Sequence, residues 1–345
     1  MSSVWNNKIS VSVFGEAQSS AIGVNVNNLP AGEYIDVKAI RKFMSRTAGS
    51  KRDNVMPHVI SGIFNERTTG APLCAFIQNY SPEPLAPAQN IDGTARYGHA
   101  DYTGAVRYRG FNDVRDSGHF SDRLIVPVCF AGAVCGQILE RRGIYTGTHI
   151  LSIQKVKDNP FDPLNLSRED IVRLREREFP VINERKGKLM QKEIDRIWQT
   201  GDSSGGIVEC GIINLPAGIG SPIFDGLQNT IAQLVFSIPS VIGIEFGAGF
   251  KSAMMTGSQF NDDFYVDEHG HVRTETNNHG GVSGGISSGM PLIFRVALRP
   301  DPKREETFTG GTDYDPYTVI RSVASVEAVA NIAILTHMLE YPDFC

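Results

Sequence analysis

The sequence predicts a mixed α/β protein in which one supersecondary unit is used twice. The first observation is a repeated turn: Asn28-Leu29-Pro30-Ala31-Gly32 recurs as Asn214-Leu215-Pro216-Ala217-Gly218. The register extends backwards without gaps, so that Gly15-Glu16 faces Gly201-Asp202 and Ile22 faces Val208. The second observation is the common order of patterns around each copy. A polar turn leads into a strand and the repeated turn; an aspartate, Asp36 or Asp225, then precedes a helix, and a strand follows. The third is capacity: 345 residues, 41% hydrophobic and 21% charged, suffice for a large core or two domains.

The elements follow in order. Residues 8–14 alternate apolar and polar and read as a strand, as do residues 21–27. Asp36 caps a helix that runs to Ser45 with Ile40 and Phe43 on one face. Residues 59–64 and 71–78 are strand-like. Residues 124–141 are apolar all round and read as a buried helix, in which Gly132 and Gly136 permit close approach of a neighbour. A charge-rich amphipathic helix begins at Ser167 and continues through Glu178. Another spans residues 180–199, with Ile182, Met190, Ile194 and Trp198 on its apolar stripe. Their charges form a solvated face. The second copy supplies a helix over 226–236 and a strand over 241–246.

A net charge of −5 points away from nucleic acid and from anionic membranes. The five cysteines, Cys74, Cys129, Cys135, Cys210 and Cys345, are widely spaced with no CxxC, as expected of free thiols in a reducing compartment. Cys129 and Cys135 fall in the apolar helix and read as core. Met1 to Trp5 lacks the charged and apolar regions of a signal peptide. No apolar run is expected to reach transmembrane length, residues 124–139 being the best candidate. A cytoplasmic protein is expected.

Two stretches carry candidate chemistry. In Tyr97-Gly98-His99-Ala100-Asp101-Tyr102 a titratable imidazole stands among backbone-permissive and aromatic residues. Residues 277–291 are rich in glycine, which lets backbone N–H groups approach a phosphate-bearing ligand. The repeat places His99 in the first half and this loop in the second, and ligands often bind where such halves meet. His269-Gly270-His271 lacks a third metal ligand, and no metal is expected. His58, His149 and His337 read as surface or packing residues, and Trp5 and Phe14 as core packing rather than subunit contacts.

An ordered set of blocks then becomes specific. They are Phe14-Gly15-Glu16 with Leu29-Pro30-Ala31-Gly32, Thr68-Thr69-Gly70, Gly98-His99-Ala100-Asp101-Tyr102 and Gly118-His119-Phe120-Ser121. Later come Asp202-Ser203-Ser204-Gly205-Gly206, residues 241–250, residues 277–291 and Asp315-Pro316. Over nearly its full length the chain resembles the chorismate synthase family. The resemblance implies one domain over residues 1–345, a β-α-β sandwich with repeat halves over about 8–150 and 195–340. Each half is expected to be a four-stranded antiparallel sheet against helices. It also implies a homotetramer and a lyase needing reduced FMN, which removes phosphate from 5-enolpyruvylshikimate 3-phosphate (EPSP) by 1,4-anti elimination to give chorismate. NADPH would enter only with a flavin reductase activity. The expected partner is a small shikimate-type substrate.

Positions carry over one at a time. His99 matches the family's second catalytic histidine, beside the flavin, and Asp315 the aspartate that assists ring-proton removal. FMN contacts map to His119, Phe120 and Ser121, to Pro239 and Ser240, to Gly284, and to Arg299, Pro300, Asp301, Pro302 and Lys303. Arg46, Arg52 and Arg123 are the substrate-contact candidates, with Lys51 part of the same cationic loop. Departures cluster on the phosphate side. The family's Gly-Glu-Ser-His-Gly is here Gly15-Glu16-Ala17-Gln18-Ser19, so Gln18 replaces the first catalytic histidine; it can hydrogen-bond a phosphate but not protonate it. Asp313 stands where the family has an arginine. His119 replaces a common arginine, and Asp116-Ser117-Gly118 replaces three glycines. Three readings therefore stand: the family's own lyase, an FMN-dependent relative acting on a cyclohexene carboxylate with altered or no phosphate, and a non-catalytic homologue.

Overall fold

A computed structural model of the chain describes residues 3–47, 57–79, 95, 98–301 and 317–340. The first half begins with β1 (Val4–Asn6), β2 (Ser10–Phe14) and β3 (Ala21–Asn27), followed by α1 (Val37–Ser45). Then come β4 (His58–Ser61), a short hairpin of β5 (Ile63–Phe64) and β6 (Arg67–Thr68), and β7 (Leu73–Gln78). Helices α2 (Asp101–Tyr108) and α3 (Ile125–Glu140) close this half. The second half begins well before the expected residue 195, because β8 (Tyr145–Ile153) pairs with the strand Gly206–Ile213 in the second sheet; β9 (Val156–Lys157), α4 (Arg168–Arg175) and α5 (Glu184–Gln199) follow it. Next are β10 (Gly206–Ile213), α6 (Leu227–Val235), β11 (Val241–Phe246) and the single turn α7 (Gly257–Phe260). Two further hairpins, β12 (Phe264–Val266) with β13 (Val272–Thr274) and β14 (Val282–Ser283) with β15 (Ile286–Ser287), lead to β16 (Leu292–Leu298) and α8 (Thr318–Met338).

The strands form two five-stranded antiparallel sheets, ordered β1-β2-β3-β7-β4 and β9-β8-β10-β16-β11. Four strands correspond in each: β2 with β8, β3 with β10, β7 with β16 and β4 with β11. The expected four-stranded unit is present, and one edge strand is added to each sheet. These additions are unrelated, since β1 precedes its neighbour in sequence and β9 follows its own.

Helix α3 lies on β2, β3 and β7, α8 lies on β8 and β10, and the two helices pack on each other. The layers are therefore sheet, helices, sheet, with one continuous apolar core through all of them. At Gly132 a Cβ would stand 2.4 Å from the Ala328 backbone, and at Gly136 one would stand 2.6 Å from the Asn331 amide nitrogen. Both glycines are there because α8 occupies the space a side chain would need. By length and composition the stretches Arg115–Glu140 and Thr318–Met338 can each cross a membrane, contrary to the expectation that no run is long enough. In the fold their helices α3 and α8 form the central layer, and the most apolar 18 residues of each stretch are 72% and 89% buried.

The repeated turns are built identically. Asn28 and Asn214 both take positive φ, 66° and 60°. Gly32 N–H donates to the Thr68 carbonyl at 2.7 Å, and Gly218 N–H to the Ser287 carbonyl at 3.0 Å. The Thr68 hydroxyl donates to Pro30 O at 2.5 Å and accepts from Glu33 N–H at 2.9 Å. The Ser287 hydroxyl does the same with Pro216 O at 2.5 Å and Ile219 N–H at 2.9 Å.

Other expectations shift in detail. Asp36 caps α1 through Lys38 and Ala39 N–H, but α1 buries Ile40 and Met44 while Phe43 is only partly covered. Asp225 is exposed and does not cap α6; Gly226 is the N-cap, and Leu227 N–H donates to Gly285 O at the tip of the β14–β15 hairpin. α4 stops at Arg175, short of Glu178. α5 starts at Glu184 rather than residue 180, because Pro180 O accepts from Ile150 N–H of β8 and the Asp158 carboxylate takes Ile182 and Asn183 N–H. On α5 it is Ile197 that is buried, and Trp198 is 54% exposed. Trp5 hydrogen-bonds Gln233 of α6 and packs partly against the core, whereas Phe14 is 37% exposed.

His149 is neither a surface residue nor a simple packing one. It is fully buried, with Nε2 3.0 Å from Glu209 and Nδ1 3.5 Å from Asp158. Burial opposes its charge, but the bonds and charges of Asp158 and Glu209 outweigh burial and hold the imidazole above its ordinary range. Glu209 also takes Arg295 Nε–H at 2.9 Å and Phe161 N–H at 2.6 Å. This network ties β8, β10 and β16 to the segment that follows β9.

Candidate active site at the junction of the halves

The Gly15–Ser19 turn is dictated locally. Gly15 has φ 93°, and a Cβ there would lie 2.3 Å from Ala21 O. The Ser19 hydroxyl sits 3.0 Å from Glu16 N and 2.8 Å from both Glu16 O and Ala21 O, which fixes the loop. Ala17 N–H donates to Gly118 O at 3.0 Å, and Arg123 Nη1 donates to Ala17 O at 2.8 Å. The turn carrying Gln18 is thereby bound to the segment carrying His119, Phe120 and Ser121. Gln18 itself is only 9% exposed.

His119 donates from Nδ1 to Gly15 O at 2.9 Å, and in the neutral ring its Nε2 then accepts from the Ser3 hydroxyl at 2.6 Å. Phe120 is 38% exposed and lies against Tyr108 and Gly104 of α2, where a Cβ on Gly104 would come within 2.7 Å of its ring. The Ser121 hydroxyl accepts from Arg123 N–H at 3.4 Å at the head of the short helical turn that leads into α3. His99 stands just before α2, 2.6 Å from Asp101 and 2.9 Å from Ser117.

The second half supplies a separate group. Arg299 N–H donates to Ser240 O at 2.9 Å, and Ser240 has φ 71°. Pro239 and Ser240 are thus held beside Arg299 and Pro300. The Asp301 carbonyl accepts from the Ser203 hydroxyl at 2.6 Å, and its carboxylate accepts from the Thr318 hydroxyl at 2.7 Å. One turn later Arg321 pairs with Asp122 at 3.2 Å. The start of α8 therefore grips both groups, Asp301 from one half and Asp122 from the other, and brings the His119–Ser121 element toward Arg299–Asp301.

Two expectations change here. Most glycines of residues 277–291 serve the protein's own backbone rather than a ligand. A Cβ at Gly280 would stand 2.4 Å from Gly247 N, at Gly281 2.6 Å from Pro291 O, and at Gly285 2.4 Å from Ser221 O. Gly284, at an exposed hairpin tip with φ 62°, has open space around it. Arg46, expected as a substrate contact, is engaged inside the protein. Its guanidinium donates to the fully buried Glu327 at 2.8 Å and covers the Phe43 ring. Glu327 lies amid the apolar α8 and needs cations; Arg175 Nε is 2.9 Å away and the Thr148 hydroxyl 3.1 Å. Burial raises the Glu327 carboxyl, but the Arg175 and Arg46 charges and the Arg46 and Thr148 bonds override it and hold the group below its ordinary range.

Arg52, Lys51, Pro302, Lys303, Asp313 and Asp315 lie outside the described residues. Sequence reasoning missed Ser117, Arg321 and Glu327. Glu327 left a signal, as the sole acidic residue within 318–338, and Ser117 left one only as part of Asp116-Ser117-Gly118, where the family has three glycines.

The architecture defines a class: a duplicated β-α-β sandwich with histidines, hydroxyls and cations gathered at the seam of its halves. Comparison with known proteins makes this particular. The model of the family described as chorismate synthase matches residues 9–339. The chorismate synthase of Thermococcus kodakarensis is 36% identical over 350 residues, covering 96% of each chain. That of Korarchaeum cryptofilum is 36% identical over 361 residues, covering 97% of each chain. A crystal structure of chorismate synthase superposes with a TM-score of 0.79 at 25% identity, covering 96% of this chain and 92% of that one. The chain belongs to the chorismate synthase family.

Proposed function

We propose that this chain is a carbon–oxygen lyase that uses reduced FMN to eliminate phosphate from EPSP, giving chorismate, as a cytoplasmic homotetramer. The observation that carries the reading is that the family match runs through both halves that build the seam, with His99 and His119 at its first-half side. The donor set fits a flavin mononucleotide. The Ser121 hydroxyl and the Arg299 guanidinium suit its phosphate and polar edge, Phe120 offers a partly exposed ring face, and Gly284 leaves room for a ligand. These residues would hold the reduced flavin, which would supply transient electron density for the elimination. His99 balances charge beside it, with its ring fixed at both nitrogens by Asp101 and Ser117. Asp315 assists removal of the ring proton, and Arg123 and Arg52 hold the anionic substrate.

A second reading draws on the phosphate side. Gln18 stands for a histidine, and Arg46 is committed to Glu327. A chain so depleted would bind reduced FMN but act on a cyclohexene carboxylate with a displaced or absent phosphate. One anaerobic experiment separates the two: reduced FMN is titrated by its absorbance change, then EPSP is added and chorismate is measured. Turnover at the rate of the family's relatives supports the lyase reading. Flavin binding without turnover, with activity gained in a Gln18→His, Asp313→Arg variant, supports the second. Absence of flavin binding sinks both.

A further inference from the structure

Ser117, His99 and Asp101 form a line of hydrogen-bonding side chains. The Ser117 Oγ is 2.9 Å from His99 Nε2, and His99 Nδ1 is 2.6 Å from Asp101 Oδ1. An ionised carboxylate can only accept, so Nδ1 carries the hydrogen; in the neutral ring Nε2 is then the lone pair that takes the Ser117 O–H. A serine facing an imidazole that a carboxylate orients is the arrangement that turns a hydroxyl into a nucleophile, and it is recognised by geometry, not by chain order.

The backbone adds a second observation. Asp116, Ser117 and Gly118 have successive φ values of 46°, 71° and 53°, and the first two are not glycine. Side-chain-bearing residues in this region carry strain that the surroundings must hold. They do so here. Arg115 grips the Asp113 carboxylate through Nε at 3.0 Å and Nη2 at 2.6 Å. Gly118 packs so closely on Asp113 O that a Cβ would stand 2.0 Å away, and Gly118 O is fixed by Ala17 N–H. The strained turn aims the hydroxyl at the imidazole. Ser117 is 7% exposed, while the His99 and Asp101 side chains are 20% and 23% exposed, so a buried hydroxyl faces a partly exposed imidazole. The elimination has no step for this hydroxyl, and the family's pattern has glycine at this position.

We propose that Ser117 is an activated nucleophile and that the chain has a second, flavin-independent activity toward small carboxylic esters. Ser117 Oγ attacks the ester carbonyl carbon as its proton passes to His99 Nε2, and Asp101 stabilises the imidazolium. The carbon–oxygen bond to the alcohol breaks, and the alcohol leaves with the proton from Nε2. Water then attacks the acyl-serine by the same route, releasing the carboxylic acid and restoring the hydroxyl.

The test uses the full chain without flavin and a small alkyl fluorophosphonate. The serine oxygen bonds to phosphorus, the phosphorus–fluorine bond breaks, fluoride leaves and the proton goes to His99. The expected result is one adduct, located by mass spectrometry on the peptide containing Ser117, together with hydrolysis of p-nitrophenyl acetate. Ser117→Ala removes both. Asp101→Asn slows labelling at least roughly tenfold, because the imidazole loses the partner that fixes its tautomer. Ser117→Gly suits the positive φ, keeps the thermal melting profile and also loses the label, which separates chemistry from folding. Labelling elsewhere, no labelling, or an unchanged rate in Asp101→Asn overturns the proposal. Neither flavin nor EPSP is needed, so failure here leaves the lyase reading untouched.

Discussion

The two halves share a turn down to its hydrogen bonds and differ in what their central helices contain. In both, a hydroxyl on the short hairpin, Thr68 or Ser287, buttresses the repeated Leu-Pro-Ala-Gly turn through the same carbonyl and the same following N–H. Yet α3 is apolar at every buried position, whereas α8 carries Glu327 in its middle. The shared part is backbone geometry, which any strand-turn-helix junction of this kind must satisfy. The divergent part is electrostatic. The carboxylate in α8 is neutralised by Arg46 from the first half and Arg175 from the second.

The largest expected effect breaks this difference. Glu327→Ala removes the fully buried carboxylate that Arg46 and Arg175 neutralise, leaves Arg175 with Glu140 alone, and should cost about 3–5 kcal/mol in denaturant unfolding. The same carboxylate has a pH signature. Its folded pKa is below the unfolded value, so its contribution is present above about pH 4.3 and is lost as pH falls through the folded pKa. The stability of Glu327→Gln, followed by urea titration at a series of acid pH values, should therefore fall less steeply than that of the unaltered chain. An identical slope would show that Glu327 carries no net linkage.

A smaller effect sharpens the likeness. Thr68→Val and Ser287→Ala each strip a turn's N–H and C=O, partly or fully buried, of their partner, and each should cost about 1–3 kcal/mol. The two losses should agree within about 1 kcal/mol if the halves are energetically equivalent at this point. A large loss in one half alone would limit the duplication to shape. Smallest are Gly32→Ala and Gly218→Ala. Both glycines have positive φ, 83° and 98°, and open space where a Cβ would go, so only backbone strain is added. Each should lower stability by about 1 kcal/mol, read as a matched shift in the urea midpoint.

The repeat was legible because its turn demands particular residues: asparagine and glycine at positive φ and proline between them. The buttressing hydroxyls were not. The α7 turn and the β12–β13 hairpin intervene before Ser287, so it does not lie at the offset Thr68 has from its own turn. The glycine-rich residues 277–291 stood out correctly as backbone that must approach something closely. That partner, for Gly280, Gly281 and Gly285, is the chain itself. His99 and His119 were legible as site candidates through the blocks around them. Ser117 was legible only as a departure from the family's glycines, since its distance to His99 and its φ angle are tertiary facts.

The sequence by itself determined the duplicated α/β plan, the buried helix with its two contact glycines, the capped start of α1 and the family. These follow from periodicity, local backbone preference and motif, which act over a few residues at a time. The tertiary structure alone decided which charges are spent internally and which face the seam. Arg46 pairs with a carboxylate on α8, His149 sits buried between Glu209 and Asp158, and Thr318 and Arg321 join the halves at one helix end. Ion pairs and hydrogen bonds are set by distances of a few ångströms between residues far apart in the chain, and no local pattern encodes them.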